Sequence, residues 1–410
     1  MDVRTPVIMI GGYPDGARQL GAGLLTPGTV LVRHDLALLR DGVVTRTLTT
    51  HDREQTSALE LAHGCVSCTL RASLLPLLRT LSDRSSVTRI VLLLDPAMEP
   101  IEVCEAIETV VVTGIAGRVD APAGHDVRVA AMLAAVDAAT WLSDATGDET
   151  LAERLGTGDD DRTVAQVALA QVEYADAITF FGQPDPLDTA VMNAVFARLT
   201  PSVPRHWVSG SPDAAAVLAS AGEDSRTGRG FDPHAPLLAG APPLEMDGGV
   251  CLVEFTAQRP FQPERLHEAI DVLLDGVITA RGRIWLATRP QDVLWLESAG
   301  AGLRIGPAGP WLAALSPTDQ QAENPERLAM AALRWHPRFG DRHCALVALV
   351  HDADPGDIDR ALRWALVTDD ELRQPNSWQH WPDPFGDWHE DPCATTESTS
   401  ISPTREGEQS

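Results

Sequence analysis

Through about its first 220 residues the chain alternates short aliphatic runs with helical patterns, and this alternation narrows the possible folds more than any other feature. PVIMI (6–10), TVLVRHD (29–35), TRIVLLLD (88–95), VRVAAMLAAVD (127–137) and DAITFF (176–181) have the length and near-continuous apolarity of strands covered on both faces. Between them, LRASLLPLLRTLSD (70–83), EPIEVCEAIETVVV (99–112) and RTVAQVALAQVEYAD (162–176) place apolar residues three and four positions apart, as amphipathic helices do. TSALELA (56–62) is expected to continue into a helix through the turn that follows. Strands separated by helices predict a parallel, doubly wound α/β sheet.

The texture changes near residue 222. GEDSRTGRGFDPHAPLLAGAPPLEMDGG (222–249) is rich in Gly, Pro and Asp and reads as a linker between a first domain, 1–221, and a smaller α+β domain, 250–371. In the second unit VCLVEFTA (250–257), RIWLATR (283–289), DVLWLESAG (292–300), GLRIGPAGP (302–310) and CALVALVHD (344–352) read as strands. PERLHEAIDVLLDGV (263–277) and DIDRALRWALVT (357–368) read as helices. Residues 372–410 form an aromatic and then Ser/Thr/Glu-rich arm, whose composition predicts disorder over about the last 15 residues.

Charge removes one class of function. Against 32 Lys and Arg stand 58 Asp and Glu, a net charge of −26, which repels phosphate backbones at long range. Direct nucleic-acid binding is not expected; any action near nucleic acid would go through protein contacts. Six cysteines in 410 residues are too sparse for a disulfide scaffold, and free thiols fit a reducing cytoplasm. MDVRTPVIMIGGY reads as a buried strand rather than a signal peptide, and no stretch of 18 apolar residues predicts a membrane span.

Taken in order, several segments resemble the CobW family of P-loop GTPases and metal chaperones. PVIMIGGYPDGARQL stands where that family has a strand entering its Walker A loop; HGCVSCTLRASLLPLL resembles its Gly-Cys-x-Cys-Cys segment and helix. IVLLLDPAMEP matches the position of Walker B, and RGRIWLATRPQDVLWLESAGAGLRI with FGDRH resembles the C-terminal domain. The resemblance implies a P-loop NTPase-like domain followed by a CobW-type C-terminal domain. Its departures bear on function. Gly11 and Gly16 keep the spacing of G-x-x-x-x-G-K-[ST], but Ala17 replaces the lysine and Arg18 the Ser or Thr. Arg18 brings charge yet cannot ligate Mg²⁺. Leu93 and Pro96 replace a Glu and a Gly, leaving Asp95 as the nearby acid, and FFGQPD stands in place of the guanine-reading Asn-Lys-x-Asp. Tight Mg–GTP binding and fast hydrolysis are both expected to be impaired, with a slow NTPase using Arg18 and Asp95 as the enzymatic alternative.

VRHDL, ALELAHGCVSCTLR, AATWLSDATGDETLAER and DPFGDWHEDPC resemble a narrower, actinobacterial group of CobW-like proteins. That resemblance implies an adaptor recruiting a ribosome hibernation-promoting factor to the ribosome in zinc-limited cells. The alternative is a zinc metallochaperone with residual GTP binding or hydrolysis.

Cys65 and Cys68, with His63 close by, form the candidate zinc site; Ser67 stands where the family has a third cysteine, and His34 is a further candidate. A closed structural zinc site needs four ligands, so this set suits a weaker, exchangeable site, a redox pair or a simple turn. Asp35 and Asp137, at strand ends, suit either a cation or a helix cap. Cys104, Cys251 and Cys344 lie in apolar runs and are expected in the core. Trp378, Trp381 and Trp388 are either partner-docking anchors or an arm packed on its own domain, and His380, His389 and Cys393 form a weak second metal pattern.

Overall fold

The structure is a computed structural model describing residues 2–61, 66–156, 160–222, 232–238 and 240–386, with backbone alone at 67 and 68. The first sheet contains β1 (Thr5–Gly12), β2 (Thr29–Asp35), β3 (Val43–Thr49), β4 (Glu54–Glu60) and β5 (Arg89–Leu93). A small hairpin follows, β6 (Val111–Val112) with β7 (Ala121–Pro122); then β8 (Val127–Asp137), β9 (Ala177–Phe181) and β10 (Arg205–Val208) complete the sheet. Its order is β10-β9-β8-β1-β5-β2-β3-β4. From β10 to β2 all pairs are parallel, whereas β2–β3 and β3–β4 are antiparallel.

The parallel half matches the expected doubly wound architecture. β1 lies at its centre and is buried from Val7 to Gly11, which is why its sequence is an unbroken apolar run. The antiparallel edge is a departure. Residues 56–62 were expected to be helical, but Glu54–Glu60 pairs with β3, bringing Leu59 opposite Val44 and Thr56 opposite Thr47. Ala, Leu and Glu favour a helix in isolation, but the hairpin partner overrides that preference. The helix expected over 70–83 also changes form. Leu70–Leu74 is a π-helical turn before the regular helix Leu75–Ser82, and Pro76, which has no N–H to donate, stands just past the junction.

The second sheet is wholly antiparallel, in the order β11 (Val250–Ala257), β15 (Cys344–His351), β12 (Val277–Ile284), β13 (Asp292–Ala299), β14 (Gly302–Pro310). One of its faces packs against the helices Pro263–Ala269 and Pro355–Ala365. The other shares a core with the first domain. Ile278, Val250, Ala299 and Leu349 cluster with Leu169 and Val172 from the helix Val164–Glu173 and with Val195 and Phe196 from the helix Pro186–Leu199. No described helix is long and apolar enough to cross a membrane. Because the cluster is shared, Ile278→Ala is expected to cost about 2–5 kcal/mol and to lower the stability of both sheets within one urea transition; separate transitions for the two sheets would contradict the shared core.

Candidate functional site

In a doubly wound sheet, ligands bind beyond the carboxyl ends of the strands. Here the ends of β1, β2 and β5 open into a cleft of about 230 Å³ lined by Ala17, Arg18, His34, Asp35 and Asp95 among others. The expected phosphate loop does not have the form of a loop. Gly11 lies inside β1, and the helix Pro14–Gly23 begins after Tyr13 alone, so Gly16 is already helical. A phosphate cradle is a run of free amides. Tyr13 N donates to Ala135 O at 2.8 Å, Pro14 has no N–H, and Ala17 N donates to Tyr13 O at 2.8 Å. The Asp15 and Gly16 amides are what remains between them. A Cβ at Gly16 would lie 2.6 Å from the Phe181 ring, so the helix sits hard against the end of β9. Arg18 is exposed and ion-paired with Asp15 one helical turn back.

Asp95 is also committed. Its Oδ2 accepts from the Leu36 amide and its Oδ1 from the Ala97 amide, each at 3.0 Å, which ties the chain after β5 to the end of β2. Burial raises its carboxyl above the ordinary 3.8 despite those two amides, so the folded state holds this proton more tightly than the unfolded chain does. Asp35 and Asp137 form local turns, accepting from the amides of Ala37 at 3.1 Å and Ala139 at 3.0 Å. Neither caps a helix: the helices that follow, Leu39–Asp41 and Trp141–Thr146, begin after Leu38 and Thr140 with no side-chain cap.

Of His63, Cys65 and Cys68, the first two lie outside the described residues and Cys68 is described by its backbone in the short helix Val66–Thr69. The ends of the segment are placed. Leu61 N donates to Gly42 O at 2.7 Å, and Val66 leads into the π-helical turn. That turn carries Ser73, whose Oγ meets His34 Nε2 at 2.9 Å within the wall of the cleft. Among the described residues no group of three or more His, Cys, Asp and Glu side chains is placed to hold a metal ion. Cys104, Cys251 and Cys344 are buried, as expected of core residues.

The Trp arm is partly resolved into its own domain. Trp378 is 5% exposed, packs on Trp285, and donates from Nε1 to Glu371 O at 3.0 Å. Trp381 is half-buried beside it. Trp378 is therefore a core side chain and not a free docking anchor, since its apolar surface and its one donor are both used. Trp388, His389 and Cys393 lie outside the described residues.

A parallel sheet with its cleft at β1, β5 and β2, followed by an antiparallel-sheet domain, defines an α/β protein of the P-loop GTPase-like class. The comparisons narrow this. The nucleotide-binding domain described as CobW/HypB/UreG matches residues 33–193, and the cobalamin synthesis protein cobW C-terminal domain matches residues 250–366. The chain belongs to the CobW family, within a class of P-loop GTPases and zinc chaperones. It is 47% identical over 397 residues, 95% of each chain, to the Mycobacterium tuberculosis protein named Zinc chaperone Rv0106. It is 24% identical over 362 residues to Zinc-regulated GTPase metalloprotein activator 1 of Dictyostelium discoideum, covering 85% of this chain and 74% of that one. The Zn(II)-bound YjiA GTPase from E. coli overlaps 90% of this chain and 100% of its own at a TM-score of 0.37 and 14% identity; the strand order, not that overlap, carries the fold assignment.

His34 gives this region a pH signature. Burial, with Arg46 adding to it, lowers the ring from 6.5 to about 4, and Nδ1 has no partner. The unfolded chain takes a proton that the folded one refuses, so stability is lost as pH falls from about 6.5 towards 4. His34→Gln is expected to remove about 2 kcal/mol of the stability lost between about pH 7 and about pH 5, read as the difference between variant and parent in urea unfolding. Parallel pH curves would show that His34 does not titrate with folding. Asp95 acts in the opposite sense, adding stability as pH falls through its raised value. Asp95→Asn is expected to remove that gain and to cost about 1–3 kcal/mol at neutral pH by confronting an amide N–H with a second donor.

Proposed function

We propose that this chain is a zinc carrier that takes Zn²⁺ as cargo on Cys65 and Cys68, with His63, and passes it to an acceptor protein, with nucleotide control reduced or lost. The observation that carries the reading is the position of the Cys-x-x-Cys segment. In the chain it joins the edge strand β4 to the π-helical turn whose Ser73 bonds His34 of the cleft wall, so a change at the cysteines has a short physical route to the old nucleotide end of the sheet. Two thiolates and one imidazole fall short of the four ligands of a closed structural site, and an incomplete set releases its metal more readily. The Zinc chaperone Rv0106, similar over nearly the whole length, supports zinc as the cargo. The reduced nucleotide control rests on Ala17, on Arg18 held by Asp15, and on a helix that starts at Pro14. The expected recruitment of a hibernation-promoting factor to ribosomes finds no support in the relatives, and the metallochaperone alternative takes its place.

The test is zinc retention on the full chain under challenge by a chromophoric chelator. The parent is expected to take up zinc and yield it slowly, and Cys65→Ser and Cys68→Ser to lose it at once. Equal retention in parent and variants would remove these cysteines from the reading. In parallel, Mg–GTP is expected to leave the melting temperature unchanged, because a ligand that binds the folded state must raise it. A saturable rise would restore nucleotide control.

A further inference from the structure

The second domain holds a cationic pocket that neither zinc nor nucleotide chemistry uses. It lies between β12, the helix Pro325–Arg334, the turn before β15 and the stretch 232–238 that precedes the domain. Its volume is about 40 Å³, and its walls include Arg283, Arg327, Arg334, His234, His343 and Trp311. In a chain of net charge −26, three guanidinium groups around one small opening concentrate the scarcer sign.

Arg283 is 3% exposed and forms no ion pair among the described residues. Its Nη1 donates to the carbonyls of Pro233 at 2.8 Å and Ala235 at 2.9 Å, while its Nε has no partner. A buried cation without a counter-ion is costly, and burial together with Arg334 pulls its pKa down to about 10. The nearby acids are occupied. Asp341 accepts from the amides of Leu312 and Ala313, both at 2.9 Å, Asp232 accepts from the His234 amide at 2.8 Å, and Glu323 pairs with Arg327 at 2.9 Å. Arg327 Nε, Trp311 Nε1 and His343 Nε2 are likewise buried and unpartnered. Four buried nitrogens without a protein partner thus belong to the residues of one pocket and are open to a ligand.

We propose that this pocket binds a phosphate group, either free inorganic phosphate or the phosphate of a small monoester. Three arginines oppose a cation there, although His234, His343 and Asp341 are metal-ligand types. The volume admits a group of a few atoms and excludes a nucleobase. Phosphate is favoured over a carboxylate because the donors come from separate elements and not from a single fork, which suits a tetrahedral acceptor. His343 adds a second preference. Its Nδ1 donates to Asp341 O at 2.8 Å, which leaves Nε2 as an acceptor for the hydroxyl of monoprotonated phosphate. Sulfate and acetate offer no such proton at neutral pH, and a monoester, whose second pKa is about 6, offers it only in its minor monoanion, so this contact favours inorganic phosphate. Because Arg283 also holds Pro233 and Ala235, filling the pocket would fasten the stretch before the second domain to β12.

The experiment is equilibrium dialysis and thermal melting of the full chain with inorganic phosphate, glycerol phosphate, sulfate and acetate at matched ionic strength. Saturable phosphate binding that raises the melting temperature is expected, with sulfate and acetate weaker by roughly tenfold or more. Binding of glycerol phosphate as well identifies a monoester site; exclusion of glycerol phosphate identifies free phosphate. Arg334→Gln changes an exposed helix end and leaves folding intact, so it is expected to weaken phosphate by roughly tenfold without lowering the melting temperature of the phosphate-free protein. Arg283→Met is expected to abolish binding. No saturable binding at millimolar phosphate, sulfate binding as tight as phosphate, or phosphate binding unchanged in Arg334→Gln would each overturn the proposal.

Discussion

The apolar cluster shared by the two sheets is the constraint on which the rest of the molecule depends. Leu169, Val172, Val195 and Phe196 on one side and Ile278, Ala299 and Leu349 on the other are all buried, so neither sheet completes its core alone. Close backbone contact fixes the register. Ala301 N donates to Gly147 O at 3.2 Å, and a Cβ at Gly300 would lie 2.4 Å from that same carbonyl. Gly300 therefore cannot be replaced without moving one domain against the other. The ion pair of Arg281 with Glu173, 2.9 Å across the same interface, plays a smaller part. Burial raises the Glu173 pKa even with the guanidinium beside it, so desolvation exceeds attraction and the pair orients the domains more than it stabilises them.

The first domain keeps the geometry of a nucleotide-binding sheet while using its parts for other ends. Asp95, the acid just past the end of β5, serves as a backbone staple between two strand ends. Gly16, at the position of a phosphate-loop glycine, serves as a contact for Phe181. The role of Gly16 needs a residue without a Cβ, the same type that nucleotide chemistry would have kept. A residue can thus persist at a motif position for structural reasons alone.

This explains what the sequence could and could not disclose. The parallel strands were legible because burial on both faces writes itself as continuous apolar runs such as IVLLL. β4 was not, because an edge strand exposed along most of its length carries no such run, and TSALE has helical propensities that only the β3 partner overrules. The helices Pro317–Ala322 and Pro325–Arg334 bury none of their residues fully and left no core pattern to read. At the cleft, the glycine spacing was visible, but the early helix start was signalled only by Pro14 and Asp15, residues at home in a first helical turn. Arg283, Arg327 and Arg334 come together through β12 and a helix some 40 to 50 residues further on, and no local motif announces such a cluster.

The π-helical turn connects these two themes. Pro76 has no N–H to donate, and the wider turn of Leu70–Leu74 ends just before it. The same turn brings Ser73 to His34, a buried imidazole with one nitrogen bonded and one free. A ring in that state has a defined direction but a spare acceptor or donor, and it stands where β2 meets the cleft. The segment that carries Cys65 and Cys68 runs directly into this turn. Through Ser73 and His34 the turn is tied to the end of β2, and through Leu36 the same strand end is tied to Asp95 after β5.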